Sequence, residues 1–150
     1  MVMRVWVTAI VLFLTTSVHA VAQERFVSKL TLPTGETVVV AEGDFEARSI
    51  GSFSVRLYEA ASAPDETTFF ISGLIHPRDG VVEKVVQDDV DGDQKSEIIV
   101  IARSVGTGGY LSAYAFAFKN DGLYFYAALE GLAPDADPVV ALRQSKNKHE

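Results

Sequence analysis

The sequence predicts an all-β protein, an antiparallel β-sandwich of about eight strands with little helix. Three observations carry this. Apolar and polar residues alternate over short stretches, turn-forming clusters recur roughly every 8 to 15 residues, and no long stretch shows the 3.6-residue apolar spacing of a helix.

Residues 1–22 are read as a secretory signal and set apart from the fold. "MVMR" supplies one positive charge, "VWVTAIVLFL" is apolar apart from one threonine, and Ala20-Val21-Ala22 offers the small-x-small site that signal peptidase accepts. A membrane span needs about 20 apolar residues, and here "TTS" and His19 interrupt the run. Cleavage after Ala22 leaves residues 23–150, enough for one domain. Losing Arg4 takes the formal charge from −7 to −8. Such acidity argues against nucleic acid and, after cleavage, against an anionic membrane, because both need basic patches on the protein. The chain has no cysteine, so thiol chemistry and thiolate zinc sites are excluded. An exported chain without disulfides points to a bacterial periplasm or medium.

In "FVSKLTL", Phe26, Ser28, Leu30 and Leu32 share a face; in "SFSVRLY", Phe53, Val55 and Leu57 alternate with Ser54, Arg56 and Tyr58. Both are half-buried strands. "TVVV", "TTFFISGLI", "VVEKVV", "EIIVIA", "YLSAYAFAF" and "LYFYAAL" add β-branched and aromatic runs, punctuated by "PTGE", "PRDG", "DVDGD" and "KNDG" as turns. Phe116 and Phe118 face away from Ala113, Ala115 and Ala117, and "NDG" closes a hairpin onto Leu123. A short helix is expected near "DPVVALRQ", followed by a frayed charged tail over 143–150. Edge strands of a small sandwich also leave a homodimer open.

Catalysis finds no support. His76 stands beside a proline and His149 lies in the tail, neither paired with a nucleophile, and no serine occupies an elbow motif. Carboxylates are plentiful, but nothing singles out a pair held across a cleft. Two loops are more informative. "DVDGDQKSE" places Asp89, Asp91, Asp93 and Glu97 where hard-cation ligands fall in EF-hand-like and propeller calcium loops, with Gly92 permitting the turn; the alternative is an Asx-rich turn that solvates itself. "RSVGTGGYLS" crowds Gly106, Gly108 and Gly109 between two strand-like runs, next to Tyr110. Glycines let a backbone approach a partner closely and the tyrosine offers stiff apolar area with a polar tip. Alternatively, Gly108-Gly109 is an ordinary turn before an aromatic strand residue. In "EGDFEARSIGSFSVRLY", Arg48 and Arg56 with Tyr58 could form a second edge gripping a partner, but are read as a solvated face.

Taken together, "LPTGETVVVAEGDFEARSIGSFSVRLY", "HPRDGVVEKVVQDDVDGD" and "SVGTGGYLSAYAFA" resemble the bacterial periplasmic inhibitors of invertebrate-type (I-type) lysozyme, from about Phe26 to Leu142. The resemblance implies an exported all-β protein that is not an enzyme and that blocks I-type lysozyme by placing a loop in its active-site cleft. The family's loop has a Ser-Gly-x-Tyr type motif, which falls here on Thr107, Gly108, Gly109 and Tyr110, with threonine in the serine position and Ser104 as a second hydroxyl just upstream. No cofactor is implied as required, although calcium at the acidic loop is left open. The competing reading is a calcium-stabilised adhesion or carbohydrate-binding module organised by "DVDGD".

Overall fold

The computed structural model describes residues 24–60, 67, 69–119 and 122–146, so the expected signal segment 1–22 lies outside the described residues. Its elements are β1 (Val27–Thr31), β2 (Thr37–Glu42), β3 (Ile50–Tyr58), β4 (Phe70–Asp79), β5 (Val81–Asp88), β6 (Glu97–Arg103), β7 (Leu111–Lys119), β8 (Gly122–Leu132) and α1 (Pro138–Lys146). Two four-stranded antiparallel sheets, β1-β2-β3-β4 and β5-β6-β7-β8, lie against each other as a sandwich. This is the fold class the alternation predicts. Neighbouring strands within each sheet follow each other in sequence, as antiparallel pairing allows.

Register makes the face assignments concrete. Val38, Val40, Phe53, Val55 and Leu57 of the first sheet meet Val82, Ile98, Val100, Ala102, Tyr114, Phe116 and Leu123 of the second in the main core, with Phe26, Leu30 and Leu32 packed against it. The "EIIVIA" run is continuously apolar because β6 is covered on both sides. Ile98, Val100 and Ala102 face the sandwich core, whereas Ile99 and Ile101 join Val90, Leu111, Ala113, Ala115 and the fully buried Leu142 in a second cluster under α1. The small alanine face of β7 is what lets a helix lie there.

Two expectations change. The helix extends through Lys146, so the first residues of the supposed frayed tail are helical; Asp137 caps it, its side chain accepting from the Val139 and Val140 N–H groups at 3.0 and 3.2 Å. Arg143 donates to the Asp89 carbonyl at 2.9 Å and pairs with Asp88, which ties that end of the helix to the sheet. Residues 147–150 lie outside the described residues. "PRDG" is only partly a turn. Pro77 and Arg78 belong to β4, where Pro77 pairs with Ser52. Proline is tolerated there because β4 is an edge strand and has no ladder to break on its free side. Asp79 ends β4, and Gly80 alone separates it from β5, at the point where the chain changes sheets.

Candidate functional site

Antiparallel register places four connections at one end of the sandwich. Glu42 pairs with Phe53, Ile50 with Asp79, Val81 with Arg103, Arg103 with Leu111 and Leu111 with Leu132. The loop 43–49, the turn at Gly80, the loop 104–110 and the segment after Leu132 therefore sit together. The acidic loop 89–96 lies at the other end, a seven-residue strand away, which is roughly 20 Å.

The loop 104–110 is a closed hairpin. The Ser104 N–H donates to the Tyr110 carbonyl at 2.9 Å across its base, and Gly109 N–H donates to the Gly106 carbonyl at 3.2 Å, leaving Thr107 and Gly108 at the tip. Gly109 has φ +55°, left-handed backbone that glycine adopts without strain. Arg103 holds the loop from below. Its guanidinium donates to the Gly109 carbonyl at 3.0 Å and the Pro134 carbonyl at 3.3 Å, and pairs with Glu83 at 2.5 Å. The Arg103 hydrogen bond keeps the Glu83 carboxyl below its ordinary value. Gly80, at φ +93°, presses on the same base, and a Cβ there would collide with the Arg103 carbonyl and Ser104 Cα.

Of the residues singled out, Thr107 and Tyr110 are exposed, Gly108 and Gly109 are partly covered, and Ser104 sits at the base and not at the tip. The Tyr110 ring lies back over Gly108, where a Cβ would strike the ring. Gly108 is thus a seat for the aromatic side chain as well as a turn residue. The loop presents a hydroxyl and a phenol on a fixed backbone.

At the far end, Asp89, Asp91 and Glu97 bring carboxylate oxygens within 4.8 Å of one another. Asp93 is outside that group; its Oδ1 accepts from the Lys95 N–H at 2.8 Å. Asp89 accepts from the N–H groups of Gly92 at 2.6 Å, Gln94 at 2.9 Å and Asp91 at 3.2 Å, which hold its carboxyl below the ordinary value, the Gly92 bond most strongly. Glu97 is buried and accepts from the Val90 N–H at 2.9 Å. Desolvation, then repulsion from Asp91, Asp93 and Asp89, raises its pKa. Oxygen ligands of this kind suit calcium, while the internal hydrogen bonds already satisfy the turn.

Sequence reasoning missed the buried Arg78 and Glu42. Arg78 donates to the carbonyls of Ser52 (3.1 Å), Arg48 (3.0 Å), Ala47 (3.3 Å) and Gly80, and its Nε lies 3.5 Å from Glu42 Oε1. That carboxylate oxygen also accepts from the Val82 N–H at 2.8 Å, linking the two sheets. Arg48 completes the group, 3.4 Å from Glu42, so it is not merely a solvated residue. Removing either buried partner would strand the other, at a cost of about 3–5 kcal/mol. A charged residue directly before "DG" gives no hint of burial; only the pairing of distant strands creates the pocket. His76 also has a structural setting, ringed by Phe53, Tyr114, Phe116 and Phe125 at 4.7–5.9 Å between centroids.

A β-sandwich that presents an exposed, glycine-built loop, closed at its base and held by Arg103, has the form of a scaffold for contacting another molecule. Its family is evident from comparison. The family model for periplasmic lysozyme inhibitor of I-type lysozyme matches residues 24–146. The chain belongs to this family, and is an inhibitor protein rather than an enzyme. Among solved structures it is similar to PliI-Ah, the periplasmic lysozyme inhibitor of I-type lysozyme from Aeromonas hydrophila. That likeness has 43% identity over 78% of this chain and 98% of that one, with a TM-score of 0.72. It is similar also to Aeromonas hydrophila PliI in complex with Meretrix lusoria lysozyme, with 44% identity over 79% of this chain and 95% of that one and the same TM-score. A comparison with curated proteins found no match.

Proposed function

We propose that this chain inhibits I-type lysozyme stoichiometrically by inserting residues 104–110 into the active-site cleft, with no cofactor required, after export to the periplasm and removal of residues 1–22. The observation that carries the reading is the loop itself, an exposed Thr107 and Tyr110 on a hairpin closed by the Ser104–Tyr110 backbone bond and clamped by Arg103. A glycosidase cleft is a groove with two carboxyl groups across the scissile bond, so a narrow protrusion with hydroxyl donors at its tip complements it. The Thr107 hydroxyl and the Tyr110 phenol are the donors, and the tyrosine ring supplies apolar area. A loop already ordered before binding loses little entropy on insertion. That the similar Aeromonas hydrophila PliI has been solved in complex with Meretrix lusoria lysozyme supports the same partner class.

The acidic loop favours a narrower role. Three clustered carboxylates support a calcium site at Asp89, Asp91 and Glu97, but its distance from the recognition loop makes the ion a stabiliser of the fold and not the organiser of an adhesion or carbohydrate-binding face. The deciding experiment is a cell-wall lysis assay in which the mature protein is titrated against I-type, C-type and G-type lysozymes, with calcium and with chelator. Inhibition of the I-type enzyme at about equimolar protein in both buffers is expected. Failure to inhibit it would overturn the proposal, and inhibition only with calcium would return the adhesion-type, metal-organised reading.

A further inference from the structure

We propose that the β2–β3 loop, residues 43–49, is a second lysozyme-binding element, with Phe45 as its contact residue. This rests on the inhibitory reading above but concerns a different loop. Asp44 and Phe45 form the turn at the tip, and Phe45 is fully exposed although the rest of the loop is tied down. Its backbone has φ +61°, a left-handed conformation that is an outlier for a bulky residue. The fold therefore gains no burial from this side chain and carries backbone strain because of it. Glycine or asparagine would serve the turn better, so a large aromatic ring at that position is explained by something outside the chain.

The loop backbone that carries the ring is tied down by hydrogen bonds. Glu46 folds beneath the tip and accepts from the Ser52 N–H at 2.5 Å and the Ser52 hydroxyl at 2.7 Å. Arg25 donates to the Glu46 carbonyl, and buried Arg78 donates to the carbonyls of Ala47 and Arg48. Ser49 accepts from the Gly80 N–H at 2.8 Å. Gly80 in turn abuts Arg103 and Ser104, the base of the 104–110 hairpin. The two loops are thus prongs of one rigid end, joined through Arg78 and Gly80. Ile50 and Val105, both exposed, lie at the same end as Phe45 and Tyr110.

One partner accounts for both prongs. A lysozyme that receives the 104–110 loop must bring the rim of its cleft over this end, and Phe45 then meets an apolar patch on that rim. The exposed Asp44 beside it, on a chain of net charge −7, calls for a lysine or arginine bordering the patch.

The test compares Phe45→Ser, Phe45→Gly and Tyr110→Ala, with Ile75→Ser as a control for loss of an exposed apolar residue on another part of the surface. The inhibition constant against I-type lysozyme and the melting temperature are measured for each. Phe45→Ser should weaken inhibition about tenfold or more with melting unchanged, and Phe45→Gly should weaken it equally while melting at or above the wild-type temperature, because glycine relieves the strain. Ile75→Ser should inhibit like wild type. If both Phe45 variants inhibit like wild type while Tyr110→Ala is impaired, the second element is refuted and the first loop stands. If Phe45→Ser is impaired and Tyr110→Ala is not, the second element is upheld and the 104–110 reading falls. A loss of inhibition in Ile75→Ser equal to that in Phe45→Ser would also refute the proposal.

Discussion

Tyr110→Ala tests the proposed role of the loop 104–110 most directly. The side chain is 54% exposed. An aromatic side chain carries roughly 200 Å² of surface, so about 100 Å² is left for a partner to cover. At ~25 cal/mol per Å², complete burial in a cleft is worth about 2.5 kcal/mol, roughly a 70-fold change in Kd. The cost to the free protein is much smaller. The ring packs on Gly108, two residues away, and a contact so local survives in part in the unfolded chain. Melting should fall by only a few degrees at ~1 kcal/mol or less. The assay is inhibition of I-type lysozyme by titration, with thermal unfolding of the same samples. Thr107→Ala belongs in the series, with an expected loss of about 1–3 kcal/mol because a cleft carboxylate is left without its donor. Thr107→Ser keeps the hydroxyl and should retain inhibition. Wild-type inhibition by both alanine variants would refute the reasoning, and so would unfolding by either, since that would make the loop part of the core.

Gly108→Ala should displace the Tyr110 ring from its seat and weaken inhibition about tenfold with little change in melting, because only a movable side chain obstructs the new Cβ; unchanged inhibition would mean the ring's resting position is irrelevant. Glu46→Gln tests the loop beneath Phe45 through pH. Hydrogen bonds from Ser52, its N–H first, hold the Glu46 carboxyl below its ordinary value, so its contribution is fully present above the ordinary carboxylate range and is lost as pH falls through the depressed value. The melting difference between wild type and Glu46→Gln should therefore be constant near neutrality and shrink in acid, and a difference that grows in acid would contradict this. Asp91→Ala should lower the melting temperature more in calcium-containing buffer than with chelator, where its hydrogen bond from the Asp93 N–H is still lost, since a ligand bound to the native state stabilises it by mass action; equal melting of wild type with calcium and with chelator would reduce the acidic loop to a plain turn.

Much of the molecule was written in local pattern. Alternation in "SFSVRLY" and "FVSKLTL" fixed which residues face the core, because a strand puts successive side chains on opposite faces wherever it is built. The resemblance across "SVGTGGY" and its neighbours located the loop that the fold then closes and clamps. The signals that failed were non-local. "PRDG" read as a turn because proline and glycine dominate such windows, yet only the edge position of β4 admits Pro77 into a strand, and only the convergence of β2, β4 and the Ala47 and Arg48 carbonyls buries Arg78. Phe45 likewise carries no mark in the sequence, where a lone aromatic among polar residues is ordinary. Its meaning comes from a positive φ, full exposure and a shared end with residues 104–110. The sequence by itself determined the strands and their faces, because these depend on spacing along the chain, while resemblance across the whole chain singled out the loop 104–110. Which loops stand together, and which charge is buried beneath them, was decided by the antiparallel register of two sheets, since register sets distances between residues that the chain keeps far apart.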